Sequence, residues 1–180
     1  MVNSLKPILL MSTLGTLSCS YLNSANTQPE IIQNIEAFCN EDARGAQAWE
    51  DDWATKIKPL TTWTDAPGWD KVTVIKGYRI LAVKEDGNKA EVNLVYEVVG
   101  NLVSDAIGLN FIRDIKEEAV NYVLVKVDSS WKIESPQLEP HISAEAACNL
   151  LDRDVFNMVI IDGENRARHQ KIKEEITENI

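Results

Sequence analysis

The densest concentration of side chains able to do chemistry lies between Trp49 and Asp70. Four of the five tryptophans, Trp49, Trp53, Trp63 and Trp69, stand there beside Glu50, Asp51, Asp52, Asp65 and Asp70. Flat indole faces with carboxylates nearby are how sugars and cationic ligands are held. The same rings also serve to close the open side of a curved sheet, and that structural reading carries the greater weight. Tyr78, Tyr96 and Tyr122 lie on strand-like runs where they can point inward. With Trp49, Trp53 and Trp131 they make up the candidate ligand pocket. The chain has 2 histidines, His141 just after Pro140 and His169 near the C-terminus, and neither is expected where acid/base chemistry would use it. No metal-ligand cluster, phosphate-binding loop or nucleophile-base spacing occurs, so no catalytic residue, metal or cofactor is expected.

Positioning these residues falls to a set of strands. The runs Asp70 to Lys84 and Lys89 to Gly100 flank Glu85-Asp86-Gly87-Asn88, whose Asp-Gly pair followed by Asn supplies the backbone conformations of a tight hairpin. In the second run Ala90, Val92, Leu94, Tyr96 and Val98 alternate with more polar neighbours, the period of a strand with one face on a core. Gly77 inside the first run signals a bulge or bend. A second hairpin runs from Tyr122 to Val127, turns through Asp128-Ser129-Ser130 and returns as Trp131 to Glu134, with Pro136 ending it. Between the hairpins, Asn101 to Glu118 loses its periodicity but stays apolar. It reads as a short helix packed on the outside, in preference to the two alternatives of a flap over the sheet's mouth and an exposed partner-binding patch.

Helices flank the strands. Pro29 suits the first turn of a helix whose Ile31, Ile35, Phe38 and Cys39 share a face. Gly45 breaks it, and a second segment spaces Trp49, Trp53 and Ile57 by four residues up to Pro59. Ser143 is a suitable N-cap for a helix through Leu151. Val155 to Ile161 reads as an edge strand or the start of another helix. From Glu164 the chain is charged and helix-favouring, with weak apolar spacing at Ile172 and Ile176, as in a solvated helix or frayed tail.

The 180 residues suffice for one domain plus tails. The division expected is a signal peptide over 1–18, a polar tether over 19–28, an α+β domain over 29–162 and a charged helix or tail over 163–180. The first segment holds Lys6 and an apolar run from Ile8 to Leu17, too short to span a bilayer. Thr16-Leu17-Ser18-Cys19-Ser20 then resembles the bacterial lipobox, with Thr16 where that pattern has Leu. The resemblance implies lipidation at Cys19 and attachment to the membrane through that anchor alone. Simple secretion and an uncleaved anchored start are the alternatives, and all three export the domain. Removing 1–18 takes away Lys6 and no acid, moving the formal charge from −10 to −11. So acidic a surface is unsuited to nucleic acid or anionic membranes. Cys39 and Cys148 either pair in an oxidising compartment or act as small buried hydrophobes.

This order of elements, with the Gly77-Tyr78 bend, the long strand from Ala90 to Gly100 and the Tyr122 to Ile133 hairpin, resembles the nuclear transport factor 2-like (cystatin-like) superfamily over about Pro29 to Gln137. The resemblance implies an α+β fold, with N-terminal helices packed on a strongly bent antiparallel sheet that forms a cone. A C-terminal helical extension follows outside it. The family's cones hold a small apolar ligand, do acid/base chemistry with an inward carboxylate, or are plugged by side chains. The expectation is an exported, lipid-anchored, non-enzymatic module of the periplasmic side of a bacterial envelope, binding a small ligand or an envelope protein. The alternative is a small isomerase- or hydratase-type enzyme. Sheet-to-sheet homodimerisation is compatible with either.

Overall fold

The computed structural model describes residues 27–105, 108–157 and 163–180. Cys19 and the expected signal peptide lie outside the described residues, as does most of the tether. Helix α1 spans Thr27–Ala43 and ends against Gly45, whose φ of 89° is the left-handed conformation favoured at a helix C-terminus. Ile31, Ile35, Phe38 and Cys39 are all buried on its inner face. The segment that follows is not one regular helix. A 3-10 turn at Ala46–Ala48 leads to the short helix α2 (Glu50–Asp52), a π turn at Trp53–Ile57 and a 3-10 turn at Lys58–Leu60. Trp49 is extended, at φ −127° and ψ 130°, and therefore leaves the stripe formed by Trp53 and Ile57.

Strands β1 (Lys71–Asp86), β2 (Lys89–Asp105), β3 (Gly108–Val127) and β4 (Ser130–Ser135) form an antiparallel meander. Its tight turns use the expected residues: Gly87 at φ 62°, and Asp128 and Ser129 at 47° and 70°. Of the stretch 101–118, expected to hold a short helix, residues 101–105 instead continue β2 and 108–118 begin β3. Its periodicity fails because a bulge between Val98 and Gly100 switches the face each strand presents. Short strand β5 (His141–Ser143) adds to β1 in parallel, giving the order β4-β3-β2-β1-β5, so the sheet is mixed where an antiparallel one was expected.

Further bulges interrupt β1 at Val74/Ile75, Ile75/Gly77 and Ile80/Ala82. Each bends the strand and increases its twist, and together they curl the sheet into a half-barrel. One contact measures the curl. His141 on β5 and Glu118 on β3 approach to 3.6 Å. In a flat sheet strands three places apart would be about 14 Å from each other.

Two cores result. The first fills the concavity with Ile35, Phe38, Trp53, Tyr96, Tyr122 and Trp131 among others. The second joins Val72, Val74, Val99 and Leu102 to helices α3 (Ala144–Asn157) and α4 (Gly163–Glu178). Ser143 caps α3 as expected, its Oγ accepting from Ala146 N at 3.2 Å. Of the run Val155 to Ile161, the first three residues end α3; the rest lies outside the described residues. Ile172 and Ile176 are buried, so α4 is docked, not frayed.

Candidate functional site

Six residues made up the candidate pocket. Five of them share the concavity. Tyr96 and Tyr122 lie on β2 and β3 with their hydroxyls 3.0 Å apart, and Cys39 Sγ sits 3.5 Å from the Tyr96 hydroxyl. Tyr78, half-buried at the rim, meets Tyr96 edge-on at a ring separation of 6.3 Å and donates its hydroxyl to Asn40 Oδ1 at 3.1 Å. Trp53 and Trp131 are buried in the same core. The concavity is thus occupied by packed rings. Trp49 stands apart.

A polar cluster that the sequence did not reveal lies among those rings. Asp42, one helical turn beyond Phe38 on α1, has only 1% of its surface exposed and accepts from the backbone N–H of His141 at 2.9 Å. His141 is equally buried. Its ring stacks on Tyr96 at 4.1 Å, and its Nδ1 lies 2.8 Å from the Glu139 carbonyl oxygen. Burial pushes the Asp42 carboxyl up to about 7, although donors from His141 and Gln47 pull the other way. Burial likewise holds the imidazole below its ordinary value against the opposing pull of Glu118. It lifts the Cys39 thiol to about 12, the Tyr78 hydroxyl to about 12, and Tyr96 and Tyr122 well above the usual tyrosine range. His141 is therefore not remote from the cone as expected; β5 carries it inside. The spacing i, i+4, i+7, i+11 from Ile31 to Asp42 marks Asp42 as inward-facing, and that is the signal the sequence offered.

Cys39 and Cys148 are both free. Cys39 belongs to the concave core, whereas Cys148 on α3 lies within the field of Lys173 on α4. No bridge joins these two layers.

The tryptophan-acid stretch separates into two pairs. Trp53 and Trp63 are core, Trp63 donating its indole N–H to the Glu134 carbonyl at 3.0 Å. Trp49 and Trp69 instead line a groove outside the cone, of about 370 Å³, with Gln47, Asp70, Leu102, Leu109 and Leu150. The turn after α1, the Pro67–Asp70 loop, the far end of the β2/β3 hairpin and α3 build it together. Among the described residues its single charged lining side chain is Asp70. Gln47 is 4% exposed and its Oε1 has no hydrogen-bond partner, nor has the indole N–H of Trp69. Such a site suits an apolar body beside one carboxylate, that of Asp70.

Among the described residues no group of histidine, cysteine or carboxylate side chains could hold a metal ion, and no helix is long and apolar enough to cross a membrane. No protein-family model and no curated protein matches the chain. Among solved structures, the intermembrane-space region of the chloroplast protein ARC6 is similar at 16% identity and a TM-score of 0.31, covering 58% of this chain and 90% of that one. A likeness at that level carries no argument about fold or activity.

Proposed function

We propose that the chain is an exported envelope protein, anchored through a lipidated Cys19, whose nuclear transport factor 2-like domain works as a non-enzymatic binding module with its ligand site in the Trp49–Trp69 groove. The observation that carries this reading is the filled concavity. Tyr96, Tyr122, Phe38 and Leu124 are each at most 1% exposed where a substrate chamber would have to be. The groove, in contrast, opens to solvent between Trp49, Trp69 and an apolar wall of Leu102, Leu109 and Leu150. Export rests on the apolar run from Ile8 to Leu17 followed by Ser18-Cys19.

The enzyme alternative, an isomerase or hydratase, draws on one observation. Asp42 is a carboxylic acid raised to about 7 beside His141 and Tyr96, the kind of perturbation that acid/base sites use. All three side chains are sealed from solvent, so the geometry favours a structural tie between α1 and β5.

Mass spectrometry of the protein extracted from its producing cells tests the proposal. The expected denatured mass is that of an acylated chain beginning at Cys19, and an unmodified chain with another start would discard the anchor. The expected native spectrum retains a small molecule that a Trp69→Ala variant loses. A domain empty of small molecules but bound to a protein or a second copy would replace the ligand site with an interaction surface.

A further inference from the structure

We infer that the Trp49–Trp69 groove takes a small organic cation, an amine with an apolar or aromatic body. This rests on the groove being a ligand site at all.

The charge and the walls of the groove set the class. Asp70, the charged lining residue, is exposed at the rim and pairs with no cation among the described residues. Its carboxylate selects positive charge and repels a ligand carboxylate. The indole faces of Trp49 and Trp69 favour the same charge, since their quadrupoles are negative above the ring. Leu102, Leu109 and Leu150 supply the apolar wall. Among the described residues no lysine or arginine lines the groove to receive an anion.

Three probes of one shape separate charge from shape: 2-phenylethylamine, 2-phenylethanol and phenylacetate. Each is titrated into the full chain at pH 7 while the indole N–H resonances are followed, assigned by single Trp→Phe variants. The amine is expected to shift the Trp49 and Trp69 signals and to leave those of Trp53 and Trp131 in place, with a Kd of roughly millimolar as suits a fragment. The alcohol is expected to bind roughly fivefold more weakly and the carboxylate more weakly still. Asp70→Asn, a change at an exposed residue, is expected to erase the amine's advantage over the alcohol. Equal binding of all three probes in the groove, unaffected by Asp70→Asn, would overturn the cation and leave the binding module standing. Shifts confined to Trp53 and Trp131, or no shift with any probe together with an empty native mass, would sink both.

Discussion

Asp42 shows how a single residue ties the helical layer to the sheet. Its carboxyl reaches His141 N at 2.9 Å, at the point where β5 joins β1. In the unfolded chain this group titrates near the ordinary aspartate value of 3.8, whereas burial in the fold pushes it up to about 7. Between those values the folded state holds a proton that the unfolded state has released, so the Asp42 contribution to stability falls as pH rises from about 4 to 7 and is flat above. Asp42→Asn does not titrate. Urea unfolding of both proteins at pH 5 and pH 8 is expected to show the variant less stable by about 1 kcal/mol at the lower pH, where it trades one neutral hydrogen-bonding group for another. At pH 8 the variant is expected to match or exceed the parent, which must then hold a buried charge. The depressed His141 imidazole acts in the opposite direction, losing stability as pH falls through the region below 6.5, and does so in both proteins. Parallel stability profiles would mean that Asp42 is ionised in the fold. The tyrosine pair offers a second check. Tyr96→Phe strands the Tyr122 hydroxyl, and Tyr122→Phe leaves the Tyr96 hydroxyl only the weak Cys39 thiol contact at 3.5 Å, at about 1 kcal/mol apiece. The double variant is expected to cost less than the two singles together, since no orphan hydroxyl remains. Strict additivity in thermal melts would mean the two hydroxyls do not bond each other.

At the scale of elements, legibility followed the regularity of burial. The hairpin turns at Gly87 and at Asp128-Ser129 and the Ser143 cap were readable because each rests on the chemistry of one or two residues. Helix α1 was readable because a single face meets a single core. The long β2/β3 hairpin was not, because its two ends face different cores. Val120, Tyr122 and Leu124 point into the concavity while Leu109 and Phe111 pack on the α3/α4 side, and Ile112 and Ile115 are exposed. No period of two survives that switch. The candidate site was half legible for a related reason. Composition gathered the tryptophans, but only the extended backbone at Trp49 directs it away from Trp53, and nothing local encodes that. The switch itself makes a prediction. A Cβ on Gly100 would lie 2.5 Å from both the Ile112 carbonyl oxygen and the Phe111 ring, whereas one on Gly77 meets nothing within 4 Å. Gly100→Ala is expected to lower stability by roughly 1–3 kcal/mol. Gly77→Ala is expected to be neutral or to stabilise by up to about 1 kcal/mol. Equal effects in chemical denaturation would mean that the strands do not approach as closely at Gly100.

For the molecule as a whole, the two cores share β1 and β2, so neither closes without the strands that build the other. Val74 and Val99 belong to the α3/α4 core, and Ile75 and Val98, their neighbours in sequence, to the concave one. Losing the helices would uncover one face of strands whose other face holds the tryptophan-rich interior. Unfolding should therefore be one transition, in which tryptophan fluorescence and far-UV circular dichroism coincide. Ile176 tests this from the far end of the chain, being 0% exposed on α4 and absent from the concave core. Ile176→Ala is expected to cost about 2–5 kcal/mol, the range for emptying a buried isoleucine site. The urea midpoint read by fluorescence should fall as far as the one read by circular dichroism. A variant in which only the helical signal moves, with the fluorescence midpoint unchanged, would make α4 a separable appendage. The groove wall at Leu150, on the helix that α4 braces, would then not be held by the fold of the domain.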